Sequence, residues 1–152
     1  GWVLKNEVKG FHENNIRLLA AGANTRLAPN LIKALREAEE LTKNNTAGTV
    51  MLCIDYGGQQ EIVDAVKTIV KSGVPANEVT IDTISNNIYA PGVPPVDLII
   101  RTSGEHRLSN FMTWRSVYSE LIFIDKLWPD FSEQDLIEAF SDYSTRHRRF
   151  GK

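Results

Sequence analysis

Thr49-Val50-Met51-Leu52-Cys53-Ile54 is an uncharged, almost wholly apolar run that stops at Tyr56-Gly57-Gly58. Such a short continuous run is the pattern of a strand buried on both faces, as in a parallel sheet, and parallel strands need long crossover connections, usually helices. The flanking sequence supplies them. Before the run, Pro29 suits a first helical turn, and Leu31, Leu35, Ala38 and Leu41 form one stripe that ends near Asn44-Asn45. After it, Ile62, Val66, Ile69 and Val70 predict a helix ended by Ser72-Gly73 and Pro75.

The alternation continues in both directions. Leu4, Val8 and Phe11 recur at helical spacing, and the apolar stretch from Ile16 to Gly22 reads as a strand. A short helix is expected from Ile81 to Ile88, then a proline-rich loop from Tyr89 to Pro95 and a buried strand from Val96 to Ile100. Phe111, Trp114, Val117, Tyr118 and Leu121 predict a helix, Ile122 to Ile124 a short strand, and Ser132 the cap of a last helix containing Leu136, Phe140 and Tyr143. The expected class is α/β, a mostly parallel sheet flanked by helices, with residues 1–152 as a single domain.

A chain of 152 residues can bury a core without disulfide or metal staples. Its single cysteine, Cys53, cannot form an internal bridge or a multi-cysteine zinc site, which points to a reducing, cytoplasmic setting. Seventeen Lys and Arg against nineteen Asp and Glu leave no long-range pull on nucleic acid, so any anion binding must be local. No run approaches the ~20 apolar residues of a membrane helix. Gly1-Trp2-Val3 without an initiator Met reads as a processed chain or one cut from something longer.

Ligands of parallel α/β sheets gather beyond the carboxyl ends of strands, which directs attention to the loops after Ile54 and Ile100. Asp55-Tyr56-Gly57-Gly58 would let backbone N–H groups approach an anion at a helix N-terminus, and reads equally simply as a tight strand-to-helix turn. Arg101-Thr102-Ser103-Gly104-Glu105-His106-Arg107-Leu108-Ser109-Asn110 gathers two guanidinium forks, three hydroxyls, an amide and a carboxylate. That mixture suits phosphate oxygens, with Glu105 holding a cation or an arginine, although loops are ordinarily polar. Glu120, placed at the end of the expected helix, is either paired with Arg115 at the surface or an oxygen ligand for Mg2+. His12, His106 and His147 lack metal-ligand spacing. Arg146, Arg148, Arg149 and Lys152 form a basic tail with no compensating acid in its sequence, favourable at a helix C-terminus and suited to gripping a diphosphate.

Asp97 to Phe111 with Trp114, Tyr118 and Glu120, then Leu127-Trp128-Pro129-Asp130-Phe131 and Arg148-Arg149-Phe150-Gly151, resemble in order and spacing the C-terminal signature of the cis-prenyltransferases, the undecaprenyl diphosphate synthase family. Asn45-Thr46 and Tyr56-Gly57-Gly58 are also similar to family positions. The resemblance implies condensation of isopentenyl diphosphate with an allylic diphosphate such as farnesyl diphosphate, assisted by Mg2+, to give a cis-polyprenyl diphosphate. The product would be a membrane lipid carrier, and the enzyme at most a peripheral membrane protein. It implies that Arg101, Arg107 and Ser109, with Glu105 and Asn110, form the isopentenyl diphosphate site, and that Glu120 contributes to Mg2+ binding. Arg149 and Gly151 match the tail that reaches the partner subunit's phosphate loop in a homodimer.

The sequence departs from the family pattern in three ways. Asp55 stands where the family usually has Asn, and Gln59 where it has Arg. The family's Asp-Gly-Asn-Gly-Arg-Trp segment, which carries the catalytic Asp and the allylic phosphate loop, has no counterpart in these residues. The expectation is therefore an incomplete fold lacking the N-terminal strand and phosphate loop, one that carries the isopentenyl diphosphate half-site and is inactive alone. The alternative is a non-catalytic accessory subunit.

Overall fold

The computed structural model describes residues 2–147. The chain divides into two compact units, Gly1–Gly92 and Val93–Lys152.

The first unit runs α1 (Trp2–Glu13), β1 (Ile16–Ala21), α2 (Pro29–Thr42), β2 (Gly48–Cys53), α3 (Gly58–Lys71), a 3-10 turn (Ala76–Glu78) and α4 (Ile81–Ser85). β1 and β2 are parallel, with Ile16 opposite Gly48 and Ala21 opposite Cys53, and α2 is the crossover between them. Pro29 opens α2, whose buried stripe is Ala34, Leu35, Ala38 and Thr42. Val8, Leu18 and Ala38 form the core, flanked by Phe11 and Leu52. β2 is half-buried from Val50 to Cys53 rather than enclosed on both faces, and among the described residues β1 is the one strand hydrogen-bonded to it.

β1 has a second edge, and α2 with the turn after it closes that edge with side chains. Backbone groups alternate in direction along a strand, so Ile16, Leu18 and Ala20 point away from β2. The Leu18 N–H donates to Thr42 Oγ1 (2.9 Å), the Ala20 N–H to Glu39 Oε1 (2.8 Å), and Asn45 Nδ2 donates to the Ile16 carbonyl (2.8 Å).

The second unit runs β3 (Leu98–Arg101), β4 (Glu120–Phe123), a 3-10 turn (Trp128–Asp130) and α5 (Glu133–Thr145). β3 and β4 are parallel, with Leu98 opposite Glu120 and Arg101 opposite Phe123. Ser132 caps α5 as expected, in a reciprocal capping box with Asp135.

No helix forms over residues 111–121, which corrects the sequence expectation. Asn110 and Met112 take positive φ of 65° and 51°, which a right-handed helix excludes. The Met112 carbonyl instead accepts the Arg115 and Ser116 N–H groups in a turn. Phe111, Val117 and Tyr118 point outward, at 41%, 69% and 59% exposure. Met112 and Arg115 face inward, and the Arg115 guanidinium donates to the Val93 carbonyl.

Candidate functional site

β3 ends on Arg101, which places its half-buried side chain at the start of the polar loop. Arg101 Nη1 donates to the Arg107 carbonyl and to Ser109 Oγ (3.0 Å), folding the loop back on itself. The Arg107 guanidinium is ion-paired with Glu105 and otherwise faces solvent, its side chain 63% exposed. The structure thus gathers Arg101, Glu105, Arg107 and Ser109 into one cluster beyond the carboxyl end of β3. Of the two partners expected for Glu105, a cation or an arginine, the ion pair with Arg107 is the one on view.

The loop is strained and pinned. Ser103, Ser109, Asn110 and Met112 all have positive φ, each costing about 1–2 kcal/mol for a residue with a side chain. Three backbone bonds hold its base: Ile124 N–H to Arg101 O (2.8 Å), Gly104 N–H to Ile124 O (3.0 Å) and Ser103 N–H to Lys126 O (2.7 Å). The His106 ring lies against Phe123, 4.8 Å between centroids. What results is a small cationic turn whose donors already have fixed positions, suited to an oxyanion.

Glu120 is not at a helix end; it opens β4, and its partner is not Arg115. Arg146, at the C-terminus of α5, donates through Nη1 to Glu120 Oε2 (3.0 Å) and to the Leu121 carbonyl (3.1 Å). Its Nε and Nη2 clasp Asp142, at 3.1 and 2.7 Å. The carboxylates of Asp142 and, secondarily, Glu120 push the guanidinium pKa still higher, so it is always charged. Arg146 therefore does have compensating acids, brought to it by the fold. Arg148, Arg149, Gly151 and Lys152 lie outside the described residues.

The expected Mg2+ finds no ready cage. Among the described residues no three acids, histidines or cysteines gather as ligands, and the one candidate acid, Glu120, already holds a cation. A single carboxylate in that state does not fit a divalent ion unaided.

The loop after β2 is tied through Asp55 to the segment that follows β1. Asp55, with a side chain 3% exposed, accepts from Thr25 N–H (2.8 Å), Thr25 Oγ1 (3.2 Å), Arg26 N–H (3.1 Å) and Arg26 Nε (2.5 Å). The Arg26 side chain first, then its backbone N–H, holds the Asp55 carboxyl below its usual range. Gly57 has φ of −156°, an extended conformation open to any residue. Tyr56 hydroxyl donates to Glu61 Oε2 (2.5 Å), a carboxylate on α3 whose residue is 1% exposed. Sequence reasoning singled out neither Arg26 nor Glu61, and no spacing rule marks their long-range partners. It also passed over Lys126 and Asp135, although Asp three residues after a capping Ser is the signal of a capping box.

A family model describing undecaprenyl diphosphate synthases matches residues 2–151. Isoprenyl transferase 1 of Tropheryma whipplei is 49% identical over 146 residues, 93% of this chain and 59% of that protein. A trans,polycis-polyprenyl diphosphate synthase of Thermobifida fusca, named as specific for (2Z,6E)-farnesyl diphosphate, is 42% identical over 98% of this chain and 54% of its own length. The crystal structure of lavandulyl diphosphate synthase from Lavandula x intermedia, in complex with dimethylallyl diphosphate, superposes with a TM-score of 0.91. It is 34% identical, over 98% of this chain and 66% of that one. The chain spans little more than half to three fifths of the length of these two transferase relatives.

Proposed function

Because the chain belongs to the undecaprenyl diphosphate synthase family of prenyltransferases, we propose that it carries the isopentenyl diphosphate half-site for condensation with an allylic diphosphate, giving a cis-polyprenyl diphosphate. The observation that supports this most directly is the Arg101–Arg107–Ser109 cluster, built at the end of a parallel strand. Arg107 and Arg101 supply charge to the diphosphate, Ser109 and the adjoining Asn110 supply uncharged hydrogen bonds, and Glu105 keeps Arg107 oriented until the anion arrives. Two relatives, one named as specific for (2Z,6E)-farnesyl diphosphate and one solved in complex with dimethylallyl diphosphate, support an allylic co-substrate.

Glu120 is the acid this reading offers to a Mg2+–diphosphate complex. Arg149 and Gly151 are proposed to reach the phosphate site of the partner subunit, in a cytoplasmic homodimer. The engagement of Glu120 by Arg146 favours a second reading, an accessory subunit that lends structure and no chemistry.

Calorimetry separates the two. The chain should bind isopentenyl diphosphate, and Arg107→Ala should weaken binding by about one to two orders of magnitude, since a charge-assisted bond is worth about 1.5–3 kcal/mol. No measurable binding by the wild-type chain selects the accessory reading, and unchanged affinity in the variant removes Arg107 from the site. With labelled isopentenyl diphosphate, farnesyl diphosphate and Mg2+, the 152-residue chain alone should yield no product, because the proposed cluster grips one reactant and condensation needs two held together. Robust product would overturn that expectation.

A further inference from the structure

Resting on the isopentenyl diphosphate reading of the Arg101 loop, we propose that Lys126 is a positioning residue for that loop, pinning its base from an anchor at Asp135 on α5. Lys126 acts from both ends. Its carbonyl accepts the Ser103 N–H at 2.7 Å, and its ammonium donates to Asp135 Oδ1 at 2.6 Å. Asp135 is well fixed: its residue is 8% exposed, and Oδ2 accepts from the Ser132 N–H (2.8 Å) and hydroxyl (2.6 Å) in the α5 cap.

An exposed lysine pair usually contributes little, because two mobile side chains must be ordered to form it. Here one partner is already immobilised by the helix cap, so only the Lys126 stem, 53% exposed, remains to be ordered. The segment held in this way is the one that most needs holding. Ser103 and Gly104 stand successively in the left-handed region, at φ 69° and 65°, and a Cβ on Gly104 would meet Asp125 Oδ1 at 3.3 Å. The turn from β4 into residues 124–126 is thus fixed from outside, and through the Ser103 and Gly104 N–H bonds it fixes the first residues after Arg101. With its ammonium spent on Asp135, Lys126 acts on the loop through its main chain.

The test compares Lys126→Met, which keeps the stem and loses the charge, with Lys126→Arg, which restores pairing. Two quantities are read on the full 152-residue chain. One is amide hydrogen exchange at Ser103 and Gly104 without ligand, and the other is calorimetric affinity for isopentenyl diphosphate. Lys126→Met should speed exchange at both amides and weaken binding, each by roughly three- to tenfold, with α5 amides unaffected because the Ser132–Asp135 box remains. Lys126→Arg should restore both. Unchanged exchange at Ser103 and Gly104 in Lys126→Met overturns the proposal, and so does weaker binding without faster exchange, which marks a direct charge effect. Faster exchange in a chain whose wild type does not bind isopentenyl diphosphate upholds the pinning of the loop and overturns the half-site reading beneath it.

Discussion

At Gly22 the chain leaves β1 with φ of 156°, and a Cβ built there would lie 1.9 Å from the Ile54 carbonyl oxygen and 3.1 Å from the Asp55 carbonyl carbon. Backbone cannot yield as a flexible side-chain tip can, so Gly22→Ala must push the exits of β1 and β2 apart. A loss of about 2–4 kcal/mol is expected, the range of clear steric defects, read as a lower urea midpoint at unchanged slope. The sequence shows the glycine ending an apolar run, and a strand terminus can be read there. It does not show that the obstacle is a carbonyl from the next strand. Asp55 teaches the same lesson in reverse. The sequence left its loop open between an anion cradle and a tight turn, and its oxygens are taken up by Thr25 and Arg26, partners that no local pattern reveals.

Among the elements, α5 was the most legible and the segment after Asn110 the least. Ser132 announces α5 by cap chemistry local to four residues, although the helix buries Asp135 and Ala139 and leaves Phe140 of the expected stripe 53% exposed. Residues 111–121 carry the same apolar spacing, but spacing is blind to the positive φ values that break the helix before its first turn. The cap also has a pH signature. Lys126 first, then Ser132, lower the Asp135 pKa from 3.8 to about 2. A depressed carboxyl contributes its stability above the unfolded value and loses it as pH falls through the folded one, here between about pH 4 and pH 2. Urea midpoints taken across that interval should fall more steeply for the wild type than for Asp135→Asn, which starts lower at neutral pH. Parallel slopes would assign the acid sensitivity elsewhere, with Asp142, also lowered by its arginine, the next to test.

For the molecule as a whole, the α/β alternation was legible because each strand run and helix stripe is a local periodicity. How the strands group was not, and they form two parallel pairs, one in each unit. The second unit leaves Val117, Tyr118, Leu127 and Trp128 exposed at 69%, 59%, 58% and 72%, apolar surface that suits contact with a second copy. Sedimentation should show self-association at tens of micromolar, a range that detects moderate affinity, and Trp128→Ser should shift the chain toward monomer. A wild-type monomer at that concentration would remove these residues from an interface. The second edge of β1 settles a different matter. With the Leu18 and Ala20 amides and the Ile16 carbonyl already taken by Thr42, Glu39 and Asn45, a stray extended peptide finds those rungs of the ladder occupied, which works against fibril-like growth along that border.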